Sequence, residues 1–105
     1  MIYHTMIVSF PETVPDAELD QFLSDIEKVM RDSGYAQTVS SRRHIRIPAD
    51  AHSPVFIASA AVQIGLADLD ALNGSFAAPG IEELIEHWQA KYPYKVVWVN
   101  HEQFA

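Results

Sequence analysis

The 105 residues predict an α+β domain: an antiparallel four-stranded sheet with two helices on one face. Three observations predict it. Four segments carry β-branched and aromatic residues, either alternating or in a continuous apolar run. Two segments carry apolar residues at spacings of three and four. The six follow one another in the order β-α-β-β-α-β, the split βαβ or ferredoxin-like arrangement, whose crossovers are right-handed.

Residues Ile2 to Phe10 form the first strand, stopped by Pro11. Thr13 starts a helix as its cap, with Asp16 three residues on and Pro15 in the first turn. Leu19, Phe22, Leu23, Ile26, Val29 and Met30 make one apolar stripe, and Gly34 ends it as the C′ residue. Val39 to Ile47 is a second, more polar strand, and Pro48 to Pro54 a loop. Val55 to Leu66 is a nearly continuous apolar run, the pattern of a strand covered on both faces. Asp68 caps a short turn carrying Leu69 and Leu72, broken at Asn73-Gly74. Pro79 opens the second main helix, with Ile81, Leu84, Ile85, Trp88 and Tyr92 on one side. Pro93 ends it, and Tyr94 to His101 is the last strand.

Composition narrows the function. At 49% hydrophobic and 20% charged the chain is an ordinary globular domain, expected to be one unit over residues 1–105. It has no cysteine, which removes disulfides, thiolate metal sites, iron–sulfur clusters and cysteine nucleophiles. A formal charge of −7 repels phosphate backbones, so nucleic-acid binding would need a local basic patch. The one cluster, Arg42, Arg43 and Arg46 with His44, is expected to be a polar strand rim, and no nucleic-acid partner is expected. No stretch reaches the roughly 20 apolar residues that span a bilayer, and the start lacks a basic leader segment. A cytoplasmic protein without a membrane partner is the expectation.

Two helices cover one sheet face, yet both faces carry apolar residues. In the first strand Ile2, His4, Met6, Val8 and Phe10 suit the helix side, leaving Tyr3, Thr5, Ile7 and Ser9 on the other. The same alternation puts Val55, Ile57, Ser59 and Ala61, and Lys95, Val97, Val99 and His101, on that second face. An apolar patch of this extent is normally an interface, and a two-fold homodimer, sheet against sheet, is the economical way to cover it. The second strand and the 48–54 loop, having little to bury, are expected to be the most mobile part.

Five histidines are candidates for chemistry. Glu83 and His87 share a helix face, but two ligands four apart make no metal site, and none is expected. His52 and His44 are expected on the surface. His4 differs, because alternation points it towards the helices among apolar side chains. An imidazole there needs a hydrogen-bond partner or loses its charge. Two readings are open: a structural histidine satisfied by a carbonyl, or a proton-transfer base in a pocket between sheet and helices. The same alternation places Tyr94, Trp98 and Asn100 on the helix side of the last strand, as an aromatic wall and an orienting amide for a ligand, or as plain core. Phosphate loops, nucleophile elbows and nucleotide fingerprints are absent.

The opening I-Y-H-T-M-I-V-S-F, with His4 and Phe10 six apart, resembles the first strand of the dimeric α/β-barrel superfamily. That superfamily includes stress-responsive barrel proteins, polyketide cyclases of the olivetolic acid cyclase kind and small monooxygenases. Many stress-responsive members carry His-Pro-x-His before the second helix. Here that stretch is Ser75-Phe76-Ala77-Ala78-Pro79-Gly80, without histidine, which puts a second catalytic histidine there in doubt. The length, that departure and the ending W-Q-A-K-Y-P-Y-K-V-V-W-V-N-H-E resemble the narrower RedY-like HapK group of prodigiosin-type pigment pathways. The resemblance implies a small dimeric enzyme, free of metal and organic cofactor, that cyclises or condenses a pyrrole or indole intermediate by histidine acid–base chemistry. Catalysis by His4 is the expectation, with Tyr94, Trp98 and Asn100 binding a small aromatic substrate and His87 and His101 as alternative functional histidines. A cofactor-free monooxygenase and a non-catalytic binding or carrier protein are the competing readings.

Overall fold

The structure is a computed structural model and describes residues 1–104. It has four strands and three helices: β1 (Ile2–Ser9), α1 (Asp16–Asp32), β2 (Ala36–Arg43), β3 (Ala60–Leu66), α2 (Leu69–Ser75), α3 (Ile81–Lys91) and β4 (Lys95–Glu102), with a 3₁₀ turn at Pro48–His52. The strands lie in the order β2-β3-β1-β4 and every neighbouring pair is antiparallel. This is the ferredoxin-like α+β sheet expected from the sequence, with α2 as a third, short helix.

The alternation on β1 assigns its faces. His4, Val8 and Phe10 are buried under the helices, while Ile7 on the other face is exposed. β3 gives Ala60, Val62, Ile64 and Leu66 to the same buried layer. The stripe of α1 (Leu19, Phe22, Leu23, Ile26, Met30) and Leu84 and Trp88 of α3 complete the core. Removing each large apolar side chain from water contributes on the order of 1.5–3 kcal/mol, so these rows hold the two layers together. The molecule is only 18 Å across its thin direction, the depth of one sheet and one helix layer, so the second sheet face has no cover within the chain.

Several boundaries differ from the expectation. β3 starts at Ala60, not Val55. The ladder ends where the Ser59 N–H donates to the Val8 carbonyl and the Phe10 N–H to Ser59 Oγ, both at 2.8 Å. Beyond that point Val55, Phe56 and Ile57 are exposed loop residues, so Val55 and Ile57 do not belong to the open sheet face. β2 lies three to four residues earlier than expected and carries a register irregularity between Ala36 and Thr38. Helix α1 begins at Asp16, with Pro15 at the cap position and no side-chain cap, so Thr13 does not cap it. Asp68 does cap α2, its carboxylate accepting from the Ala71 N–H at 2.8 Å. Gly34 follows the end of α1 at φ +78°, a conformation that favours glycine.

Candidate functional site

β1 and β4 pair with His4 opposite Asn100 and Met6 opposite Trp98. All four side chains are on the helix side. β4 is an edge strand that the helices cover poorly, so Trp98 remains half exposed and Asn100 exposed. His4, one strand further in, is only 5% exposed. Its Nδ1 lies 2.6 Å from the Asn100 side-chain oxygen. Facing an amide oxygen, which only accepts, Nδ1 carries the proton and donates it. Nε2 is then the lone-pair nitrogen. Among the described residues it has no hydrogen-bond partner, and no fully buried side-chain nitrogen or oxygen lacks one, so Nε2 touches open space.

Two aromatic rings close the site. The Trp98 ring stands edge-on to His4 at 4.9 Å between centroids, and the Phe76 ring edge-on at 5.5 Å. Those two rings meet each other at 5.4 Å. Phe76 follows the end of α2 and is itself half exposed. Its position depends on how α2 seats. A Cβ at Gly74 would lie 2.7 Å from two carbons of the Tyr35 ring, so glycine there lets the tyrosine lie against the helix. Sequence reasoning did not place Phe76 in the site, because a turn residue has no periodicity to aim it and its partner His4 is far away along the chain.

The structure brings His4, Trp98 and Asn100 together and places Tyr94 elsewhere. The Tyr94 ring stacks on Phe10 at 5.0 Å and meets Phe22 at 5.1 Å, in the aromatic part of the core. Burial pushes its phenol above the usual tyrosine value, so it keeps its proton, and its place against Phe10 and Phe22 sets it apart from His4.

The other histidines serve local contacts. His87 is exposed and edge-on to Trp88 at 5.3 Å, while His52 is exposed in the 3₁₀ turn. His44 bonds Asp50 at 2.8 Å. His101 sits on the open sheet face, its Nε2 2.7 Å from Thr5 Oγ1. The basic cluster is occupied by carboxylates: Arg43 pairs with Asp16 and Asp20, and Arg46 with Asp16. A groove of about 1150 Å³ runs between this cluster, Phe10 and the 45–59 segment. Its arginines and His44 are largely paired with its own carboxylates, and it lies at the opposite end of β1 from His4. Among the described residues no cluster of three His, Asp or Glu side chains is arranged to hold a metal, and no helix is long and apolar enough to cross a membrane.

No protein-family model and no curated sequence matches the chain. Solved structures do match. A dabb family protein with a ferredoxin-like fold from Mesorhizobium loti superposes with a TM-score of 0.73 at 17% identity, covering 99% of this chain and 97% of the other. A dimeric ferredoxin-like protein from Thermobifida fusca gives 0.75 at 14% identity, covering 97% and 90%. HapK from Hahella chejuensis gives 0.72 at 10% identity, covering 100% and 94%. The hydroxynitrile lyase of Passiflora edulis and an antibiotic biosynthesis monooxygenase-like protein of Deinococcus radiodurans share the fold as well. Likeness at such low identity speaks for the fold alone, and the fold that this chain shares with them is ferredoxin-like.

Proposed function

We propose that the chain is a small enzyme of specialised metabolism that promotes cyclisation or condensation of an aromatic intermediate by general acid–base catalysis at His4, without metal or organic cofactor. One observation carries the reading: the nearly buried imidazole gives Nδ1 to Asn100 and leaves Nε2 without a partner. Nε2 removes a proton from an acidic C–H or N–H of the bound molecule, and Asn100 keeps the tautomer that makes this possible. Trp98 and Phe76 supply the aromatic surface against which the flat ring packs. A base so placed typically contributes about 10²–10⁴ in rate.

The fold shared with HapK, together with the sequence ending noted above, supports a pyrrole or indole substrate of a prodigiosin-type or related pathway. The uncovered face bearing Tyr3, Thr5, Ile7, Val97 and Val99 supports a homodimer, as does the fold shared with a dimeric protein.

The test incubates purified protein with a panel of pyrrole and indole carbonyl compounds and follows products by mass spectrometry. A ring-closed product, with or without loss of water, that disappears in His4→Gln is expected. Oxygen consumption would instead mark a monooxygenase. Tight binding with every compound unchanged would mark a carrier.

A further inference from the structure

An enzyme that takes a proton at one atom and delivers it at another commonly holds two titratable groups in one site. Among the described residues, the surroundings of His4 hold one. On β1, Tyr3 lies on the opposite sheet face, stacked with His101. β3 carries no titratable side chain. On β4, Lys95 and His101 pair with Ser9 and Tyr3 and so share that opposite face. Glu102 pairs with Ile2 and shares the His4 face at the strand end, without a hydrogen bond to the imidazole. On α2, the Asp68 carboxylate is taken up by the Ala71 N–H and Asp70 is exposed. The side chains that meet the imidazole as hydrogen-bond partner or stacked ring are Asn100, Phe76 and Trp98, and none of them exchanges a proton near neutral pH.

We infer that His4 works as a one-base site: the proton that Nε2 removes is returned by Nε2 to the same molecule. This rests on the proton-transfer role proposed above and adds the class of reaction. A C–H bond breaks, its electron pair remains on the substrate as an enolate, and Nε2 becomes N–H. That N–H then breaks, its proton going to a carbon or to a developing alkoxide of the same substrate, and the imidazole is restored. No electron is transferred and no co-reactant is consumed, so the class is isomerisation or intramolecular carbon–carbon ring closure. The substrate is a planar aromatic carbonyl compound with its acidic C–H and its proton-accepting atom on one face, both within reach of one nitrogen. It enters by displacing Phe76, whose half-exposed ring closes with Trp98 over His4.

The probe is 2-indanone, a flat aromatic ketone. Exchange of its α-hydrogens in D₂O is followed by NMR across pH, beside the NMR titration of the His4 ring in the same protein. The expected result is exchange that rises to a plateau through a single ionisation coinciding with the one-step titration of His4. His4→Gln should lose at least about 100-fold, and Glu102→Gln should match the unsubstituted protein. A bell-shaped profile, a two-step titration of His4, or loss of exchange in Glu102→Gln would put a second group in the site. Each would overturn the one-base inference and leave proton transfer at His4 standing. Exchange that survives in His4→Gln, or none above the buffer rate, would overturn both.

Discussion

His4 on β1 and Asn100 on β4 face each other across adjacent strands, imidazole Nδ1 and amide oxygen 2.6 Å apart. The pair sits at the margin of the sheet, where one partner is buried and the other exposed. Replacing the amide by leucine should remove the group that selects the tautomer. The loss of one hydrogen bond, about 1.4 kcal/mol, corresponds to roughly a tenfold lower plateau rate. Asn100→Asp is the sharper variant. A carboxylate beside the ring favours the imidazolium, so the midpoint of the pH–rate profile should move upward. An unmoved midpoint would mean that the amide does not govern the ring.

Ile7 and Val97 are opposite each other on the uncovered sheet face. Lysine at Ile7 or aspartate at Val97 would bring a charge into the interface of the proposed homodimer, where it has no partner. Light scattering should show a monomer for either variant at concentrations where the unsubstituted protein is a dimer, with the circular dichroism spectrum retained. A unsubstituted chain that is monomeric at micromolar concentration would rule the homodimer out.

Phe22 is enclosed by the rings of Phe10, Trp88 and Tyr94 at 4.9, 5.7 and 5.1 Å. Truncation to alanine should cost about 3–5 kcal/mol, because the rings around it cannot collapse into the gap. That is a large share of the roughly 5–15 kcal/mol that a domain of this kind has. Calorimetry should show a fall in melting temperature of more than about 12 °C.

Asp50 accepts from His44 and from the Ile47 N–H, at 2.8 and 3.1 Å, and these bonds hold its carboxyl below the usual 3.8. A folded value that is depressed gives a contribution present in full above 3.8 and lost as pH falls through the lower folded value. Protection of the Ile47 amide should therefore be intact at pH 3.8 and above, and be lost as pH falls through the lower folded value. In Asp50→Ala it should be weak at every pH. Amide exchange followed by NMR reads both, and equal protection in the two proteins would show that the carboxylate does not hold the turn.

The side of the sheet was legible in the sequence wherever a strand was real. Period-two alternation put His4 under the helices and Ile7 outside without knowledge of any partner strand. Strand ends were less legible. Val55 to Ile57 are as apolar as a buried strand, but the ladder stops at Ala60 and leaves Val55 80% exposed. Apolarity marks what a strand can bury, whereas pairing depends on where the neighbour runs. The site shows the same division. Alternation placed Trp98, Asn100 and Tyr94 on one face, yet position along β4 separates the first two from Tyr94, which belongs with Phe10. Phe76 lay beyond sequence reasoning altogether, since a turn residue takes its direction from packing.

The polar groups of the open sheet face form a chain closed within one protomer. The nitrogen of His101 that faces the Glu102 carbonyl, Nδ1 at 2.7 Å, must be the protonated one. Nε2 therefore accepts from the Thr5 hydroxyl, and Thr5 Oγ1 in turn accepts from Gln63 Nε2 at 3.3 Å. Donor meets acceptor at each link, so these three side chains give up few bonds to water when the face is dried. A surface arranged in this way is wettable while the chain is alone and undemanding once covered. In the proposed homodimer the neighbouring Ile7, Val97 and Val99 would supply the adhesion.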